Sequence, residues 1–117
     1  MFGSRKTVDV CPLDPALMML GGRWRCIAIL HLSDGDKYFN ELSKLMPTTS
    51  RKVLTETLRS LERDGLVTRT ESQSRLRRVR YAVTPIATEL LPMFEQLTQW
   101  WERNHVAVTQ ARTAYDD

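Results

Sequence analysis

Apolar positions change period along the chain, and each change marks an element. "PALMMLGG", residues 15–22, predicts a short helix opened by Pro15, with Asp14 as its N-cap and two glycines as its stop. In "RWRCIAILHLSDGD", residues 23–36, Trp24, Ile27, Ala28, Ile29, Leu30 and Leu32 lie nearly all round, which predicts a buried helix closed by the turn at 33–36. Phe39, Leu42 and Met46 share one face of another short helix, ended by Pro47. Thr48, Thr49 and Ser50 offer capping hydroxyls to a helix over 50–64, where Leu54, Leu58 and Leu61 form the apolar stripe. Gly65 supplies its left-handed stop.

Beyond Gly65 the period becomes two. "LVTRTE" and "RRVRYAVT" predict two strands around the turn "SQSRL", with Val79, Tyr81 and Val83 directed inward and Arg78 and Arg80 outward. Thr84 as N-cap and Pro85 at the first helical position start the C-terminal third. There Leu90, Phe94, Leu97, Trp101 and Val108 recur at helical spacings, Met93 and Trp100 widen the band, and Pro92 kinks the helix or divides it. The polar residues from Gln110 on are expected to fray. The fold class is therefore mostly α with a small β-hairpin. Two helices joined by a few residues and followed directly by a hairpin describe a winged helix-turn-helix.

A chain of 117 residues is long enough for one core and too short for two. The expected organisation is a flexible arm at 1–10, the winged domain with its C-terminal helix at 11–106, and a helix end with polar tail at 107–117. The band holding Leu90, Phe94, Leu97, Trp100 and Trp101 exceeds what so small a core needs, and it predicts a homodimer through terminal helices; packing against the protein's own core is the alternative. No apolar run approaches the roughly 20 residues of a membrane span, and the N-terminus lacks the apolar core of a secretory signal. A cytoplasmic protein without a membrane partner is expected, with Cys11 and Cys26 as free thiols.

Charge sharpens the picture. The net +3 hides an asymmetry: Lys44 to Arg80 holds ten basic residues against four acidic ones, a local +6 that leaves −3 for the remainder. Such a localised field suits nucleic acid, whereas a solvated surface is the bland alternative. On the helix at 50–64, the face opposite the leucines presents Ser50, Arg51, Lys52, Thr55 and Arg59. Long cations reach phosphates and guanine edges, and small polar side chains permit close approach, which is what a recognition helix needs in the major groove. Glu56 either pairs with Lys52 or accepts from a cytosine amine. On the hairpin, four arginines fall within six positions, of which Arg75, Arg77 and Arg78 are the expected wing contacts with DNA. The alternative is an edge charged only against aggregation.

Catalytic chemistry is absent from the pattern. There are two histidines, no glycine-rich phosphate loop, no metal-ligand cluster and no nucleophile with an evident base, so neither enzyme activity nor a cofactor is expected. His31 has no ligand-spaced partner and reads as structural. Besides DNA binding, two other uses remain open: a winged module whose basic face makes protein contacts, and an aromatic pocket between the long helix and the core that adds a small ligand.

With these elements in place, the chain resembles the HxlR family of bacterial winged-helix transcription regulators, relatives of the MarR group. The resemblance runs from Cys11 to about Trp101. It is carried by Cys11-Pro12, "LGGRW" at 20–24, "YFNEL" at 38–42, "SRKVLTETLRSLERDGLV" at 50–67, "RYAVTP" at 80–85 and a late tryptophan. The block at 50–67 is the specific part. The chain departs from the family in the wing, where Leu76, Arg77 and Arg78 surround the usual proline position and Arg80 replaces a glutamate before Tyr81, and at Ala87, where glycine is favoured. The resemblance implies a homodimer on double-stranded DNA with a palindromic operator. It also implies a candidate sensor, because some members respond to oxidants or electrophiles such as quinones and aldehydes through the cysteine that Cys11 matches. A thiol just ahead of a helix gains thiolate character, with Arg5 and Lys6 lowering its pKa and Asp9 and Asp14 raising it. A redox switch and a quiet structural cysteine both fit these residues. Cys26, inside an apolar helix, reads as an inert core thiol.

Overall fold

The computed structural model describes residues 11–73 and 75–117. The expected arm at 1–10, with Arg5, Lys6 and Asp9, lies outside the described residues. The elements run α1 (Asp14–Leu20), α2 (Arg23–Leu32), β1 (Lys37–Tyr38), α3 (Phe39–Leu45), α4 (Arg51–Arg63), β2 (Val67–Glu71), β3 (Val79–Val83), α5 (Pro85–Thr88) and α6 (Leu91–Asp116). The three strands form an antiparallel sheet in the order β1-β3-β2. No helix among the described residues is long and apolar enough to cross a membrane.

Local chemistry explains most boundaries. Asp14 is the first residue of α1, not its cap; Leu13 holds that position, so Asp14 acts through its charge in the first turn. Ser50 caps α4, its Oγ accepting from the Val53 N–H at 3.1 Å. Gly65, with φ +75°, ends the same helix. Its N–H donates to Glu62 O while the Leu66 N–H reaches back to Leu61 O, the paired bonds of a Schellman stop. Thr84 occupies the N-cap position of α5, but its hydroxyl donates to Gly65 O at 2.7 Å. Together with the Thr84 N–H on Leu66 O at 3.0 Å, it ties the end of β3 to the end of α4. Pro92 divides the C-terminal helix: α5 stops at Thr88, and Pro92 sits in the first turn of α6, where its missing N–H costs nothing.

The core lies between α2, α3, α4 and the inner face of the sheet, with Ile29, Leu32, Leu42, Leu54, Leu58 and Leu61 fully buried. Tyr81 is buried and Val79 and Val83 pack on the same core, so β3 alternates as its sequence predicts. Helix α2 is not buried all round. Leu30 is 49% exposed, because a domain of this thickness covers only one side of the helix. Helix α6 is 26 residues long, about 39 Å at 1.5 Å per residue, and none of its residues is fully buried. Its start is anchored, Leu91 and Phe94 packing against the core with Leu90 just before it. Beyond them the helix leaves the domain and continues to Asp116, so the polar stretch from Gln110 is helical and not frayed.

Candidate nucleic-acid interface

The side chains of α4 sort by face. Leu54, Thr57, Leu58 and Leu61 are buried, and the Thr57 hydroxyl returns to Val53 O at 2.8 Å, which satisfies it within the helix. Ser50, Arg51, Lys52, Glu56 and Arg59 are exposed, and Thr55 is half-buried with its hydroxyl on Arg51 O at 2.7 Å. Among the described residues no ion pair joins Lys52 to Glu56. Lys52 and Arg59 on its outer face form no ion pair among the described residues. Arg51 does not simply extend outward. Its guanidinium lies over the Phe39 ring, 4.7 Å from the centroid, and Nη1 donates to Asn40 Oδ1 at 3.4 Å.

The basic hairpin divides into neutralised and unneutralised arginines. Arg69 Nη2 donates to Glu71 Oε1 at 2.8 Å, and Arg80 Nε stands 3.6 Å from Asp36 Oδ2 across the β1 side of the sheet. Both pairs are exposed and contribute little stability, but they cancel charge where it stands. Arg75, Arg77 and Arg78 are exposed and form no ion pair among the described residues. The Arg78 guanidinium rests 3.5 Å from the centroid of the Tyr38 ring, close enough for a cation–π contact. At the base of the wing the Ser72 N–H donates to Arg78 O at 2.8 Å. Ser74, in the wing turn, lies outside the described residues.

Helix and wing meet in a recess of about 260 Å³ bounded by Tyr38, Asn40, Arg51, Arg77 and Arg78. The structure thus brings together three of the predicted contacts, Arg51 from α4 and two wing arginines, and adds Tyr38 and Asn40. Sequence reasoning missed both, since Tyr38 precedes a helix and Asn40 lies on its polar side. The only signal was their place in "YFNEL". Tyr38 is itself held by its backbone N–H, which donates to Glu41 Oε1 at 2.8 Å.

The cysteines differ in surroundings. Cys11 is exposed, its carbonyl accepting from the Asp14 N–H at 3.0 Å. Cys26 is half-buried on α2, its thiol directed at Leu20 O at 3.9 Å, and burial raises its pKa. At pH 8, iodoacetamide is expected to alkylate Cys11 at least about tenfold faster than Cys26, because Cys11 is exposed while burial both shields the Cys26 thiol and raises its pKa; peptide mass spectrometry over time measures the ratio, and equal rates contradict it. Among the described residues no three acidic, histidine or cysteine side chains cluster as metal ligands. Between α2 and α6 lies an open cleft of about 510 Å³, lined by Leu30 from α2 and by Leu91, Phe94, Glu95 and Glu102 from α6.

Leu90, just before α6, and Phe94 on it pack partly on the protein's own core, while Leu97 is 68%, Trp100 48% and Trp101 46% exposed. Trp101 and His105 stack loosely, ring centroids 5.8 Å apart. The apolar band predicted from the sequence therefore has two parts, an inner anchor and an outer, uncovered strip.

Residues 19–108 match the model of the HxlR-like helix-turn-helix family. YdeP of Bacillus subtilis, an uncharacterised HTH-type transcriptional regulator, is 38% identical over 93 residues, covering 80% of this chain and 73% of that one. The reduced form of the redox regulator HypR superposes with a TM-score of 0.78 at 33% identity, over 86% of this chain and 99% of HypR. The reduced form of the B. subtilis transcriptional regulator YodB gives 0.73 at 33% identity, over 80% and 93% of the two chains, and YodB also has a quinone-bound crystal structure.

Proposed function

The chain belongs to the HxlR-like helix-turn-helix family of transcriptional regulators, and from that premise we propose that it binds a palindromic operator as a homodimer. Helix α4 enters the major groove and the wing follows the flanking backbone. The observation that carries this reading is the sorting of charge. Lys52 and Arg59 of α4 and Arg75, Arg77 and Arg78 of the wing stand without ion pairs among the described residues, while Arg69 and Arg80 on the same hairpin are neutralised. Two-fold symmetry sets the half-sites about 34 to 36 Å apart, one helical turn of DNA.

The test is the affinity for a duplex from the gene's upstream region against a scrambled duplex of equal length, at several salt concentrations. Specific binding is expected to exceed nonspecific binding by roughly 10³-fold or more, and both weaken as salt rises. Within that assay the roles of helix and wing separate. Arg77→Ala is expected to weaken all duplexes alike and lower the salt slope by about 1, whereas Lys52→Ala changes which sequences are preferred. Uniform loss in both variants contradicts the division. Absence of binding at low salt turns the reading to a winged module for protein contacts.

A second reading concerns regulation and rests on the exposure of Cys11 beside α1. HypR is a redox regulator, and YodB has been crystallised with a quinone; by analogy Cys11 is the residue through which a small oxidant or electrophile releases this protein from DNA. The same titration with Cys11→Ser, repeated after oxidant treatment, decides it: the variant keeps reduced-state binding and loses the response.

A further inference from the structure

We propose that the recess between α3, α4 and the wing seats one DNA backbone phosphate, gripped jointly by Arg51, Arg77 and Arg78, with Tyr38 as the residue that positions Arg78. The inference rests on the DNA-binding reading and deepens it, because it assigns Arg51 to the backbone and not to a base edge.

Three arginines line one recess of about 260 Å³, and none of them has a carboxylate partner among the described residues. Like charges gathered this closely repel, so the arrangement needs neutral supports until an anion arrives. The supports are present. Tyr38 lies under Arg78 at 3.5 Å, Phe39 under Arg51 at 4.7 Å, and Asn40 Oδ1 accepts from Arg51 at 3.4 Å. An aromatic ring occupies the flat face of a guanidinium and leaves its in-plane N–H groups free, which is the geometry that grips a phosphate by two parallel hydrogen bonds. The neighbouring arginines offer the contrast, since Arg69 and Arg80 already have carboxylates. Position favours a backbone phosphate over a base: Asn40 and Phe39 draw Arg51 back toward α3, to the side of α4 where the wing stands. A phosphate held there by helix and wing together sets the register of α4 in the groove without reading sequence.

Joint grip has a measurable signature. Each phosphate neutralised contributes about 0.9 to the slope of log K against log salt. If Arg51 and Arg77 share one phosphate, Arg51→Ala/Arg77→Ala lowers the slope by about 0.9 in all, and its affinity loss stays close to that of Arg77→Ala alone. Two separate phosphates give a fall of about 1.8 and losses that multiply, which overturns the shared seat and leaves DNA binding intact. Failure of the parent protein to bind any duplex overturns both. For Tyr38, fluorescence anisotropy on the same duplex is expected to show Tyr38→Phe binding like the parent and Tyr38→Leu about threefold weaker, the scale of an exposed cation–π contact; equal binding by both removes its positioning role. Replacing chloride by inorganic phosphate at constant ionic strength distinguishes the source of the anion. Unchanged duplex affinity supports a polymer phosphate, and a loss in the parent that is missing in the double variant identifies a free-phosphate site and overturns the proposal. Thermal melting of every variant accompanies the titrations, and the three arginines are exposed, so their removal is expected to leave the melts unchanged.

Discussion

Leu97→Arg is expected to yield a folded monomer and to reduce operator affinity by about 10³-fold or more. Leu97 lies one turn before Trp100 and Trp101 on α6, at 68% exposure, so in the single chain it touches little and its loss leaves the domain's stability almost unchanged. In the proposed dimer this strip is held against a second copy by apolar burial, and an unpartnered guanidinium at its centre costs more than such burial returns. The DNA consequence follows from geometry. A dimer engages both half-sites once the first is bound, an advantage of roughly 10²- to 10⁴-fold that a monomer forfeits. Sedimentation velocity reads the oligomeric state and anisotropy the affinity. A dimer that survives the substitution places the interface elsewhere, with the α1 surface around Leu17 and Met18 the next apolar area to test.

Leu58→Ala is expected to destabilise the fold by about 2–5 kcal/mol, the cost of removing a buried leucine and leaving part of its volume empty. Leu58 is fully buried between its neighbours Leu54 and Leu61, which hold α4 against the remainder of the domain. Since a small domain has only about 5–15 kcal/mol in total, the variant loses a large share of its stability. Its DNA binding is lost with the fold, and this separates it from Lys52→Ala, which leaves the fold alone. Urea denaturation followed by circular dichroism is expected to show a lower midpoint with an unchanged slope. A loss below about 1 kcal/mol contradicts the view that this stripe anchors α4.

Helix α4 was the most legible element, because each of its signals is local. The cap at Ser50, leucines spaced by three and four, and the stop at Gly65 all act within one stretch of chain, and all three recur in the structure. The wing was legible for the same reason, since alternation at Val79, Tyr81 and Val83 needs no knowledge of the partner strand. Strand β1 was not. Two residues have no period, and Lys37 and Tyr38 become a strand only by pairing with Tyr81 and Arg80. Helix α2 was misjudged for a related reason: a sequence apolar all round says that burial is favourable, and only the thickness of the domain decides how much is available, so Leu30 remains exposed.

By itself the sequence determined the helix-turn-helix, the hairpin behind it, the family resemblance and the basic middle of the chain, because periodicity, capping and local charge are properties of neighbours. Tertiary structure alone decided which of those charges remain available. Arg80 is neutralised by Asp36 and Arg78 is settled on Tyr38, partners about forty residues away that no spacing rule connects. It likewise decided that Arg51 turns toward Asn40 and that the apolar band of α6 splits into an anchor at Phe94 and an uncovered strip at Leu97, Trp100 and Trp101. Both outcomes depend on where a folded surface ends, and a chain of residues has no surface until its core has formed.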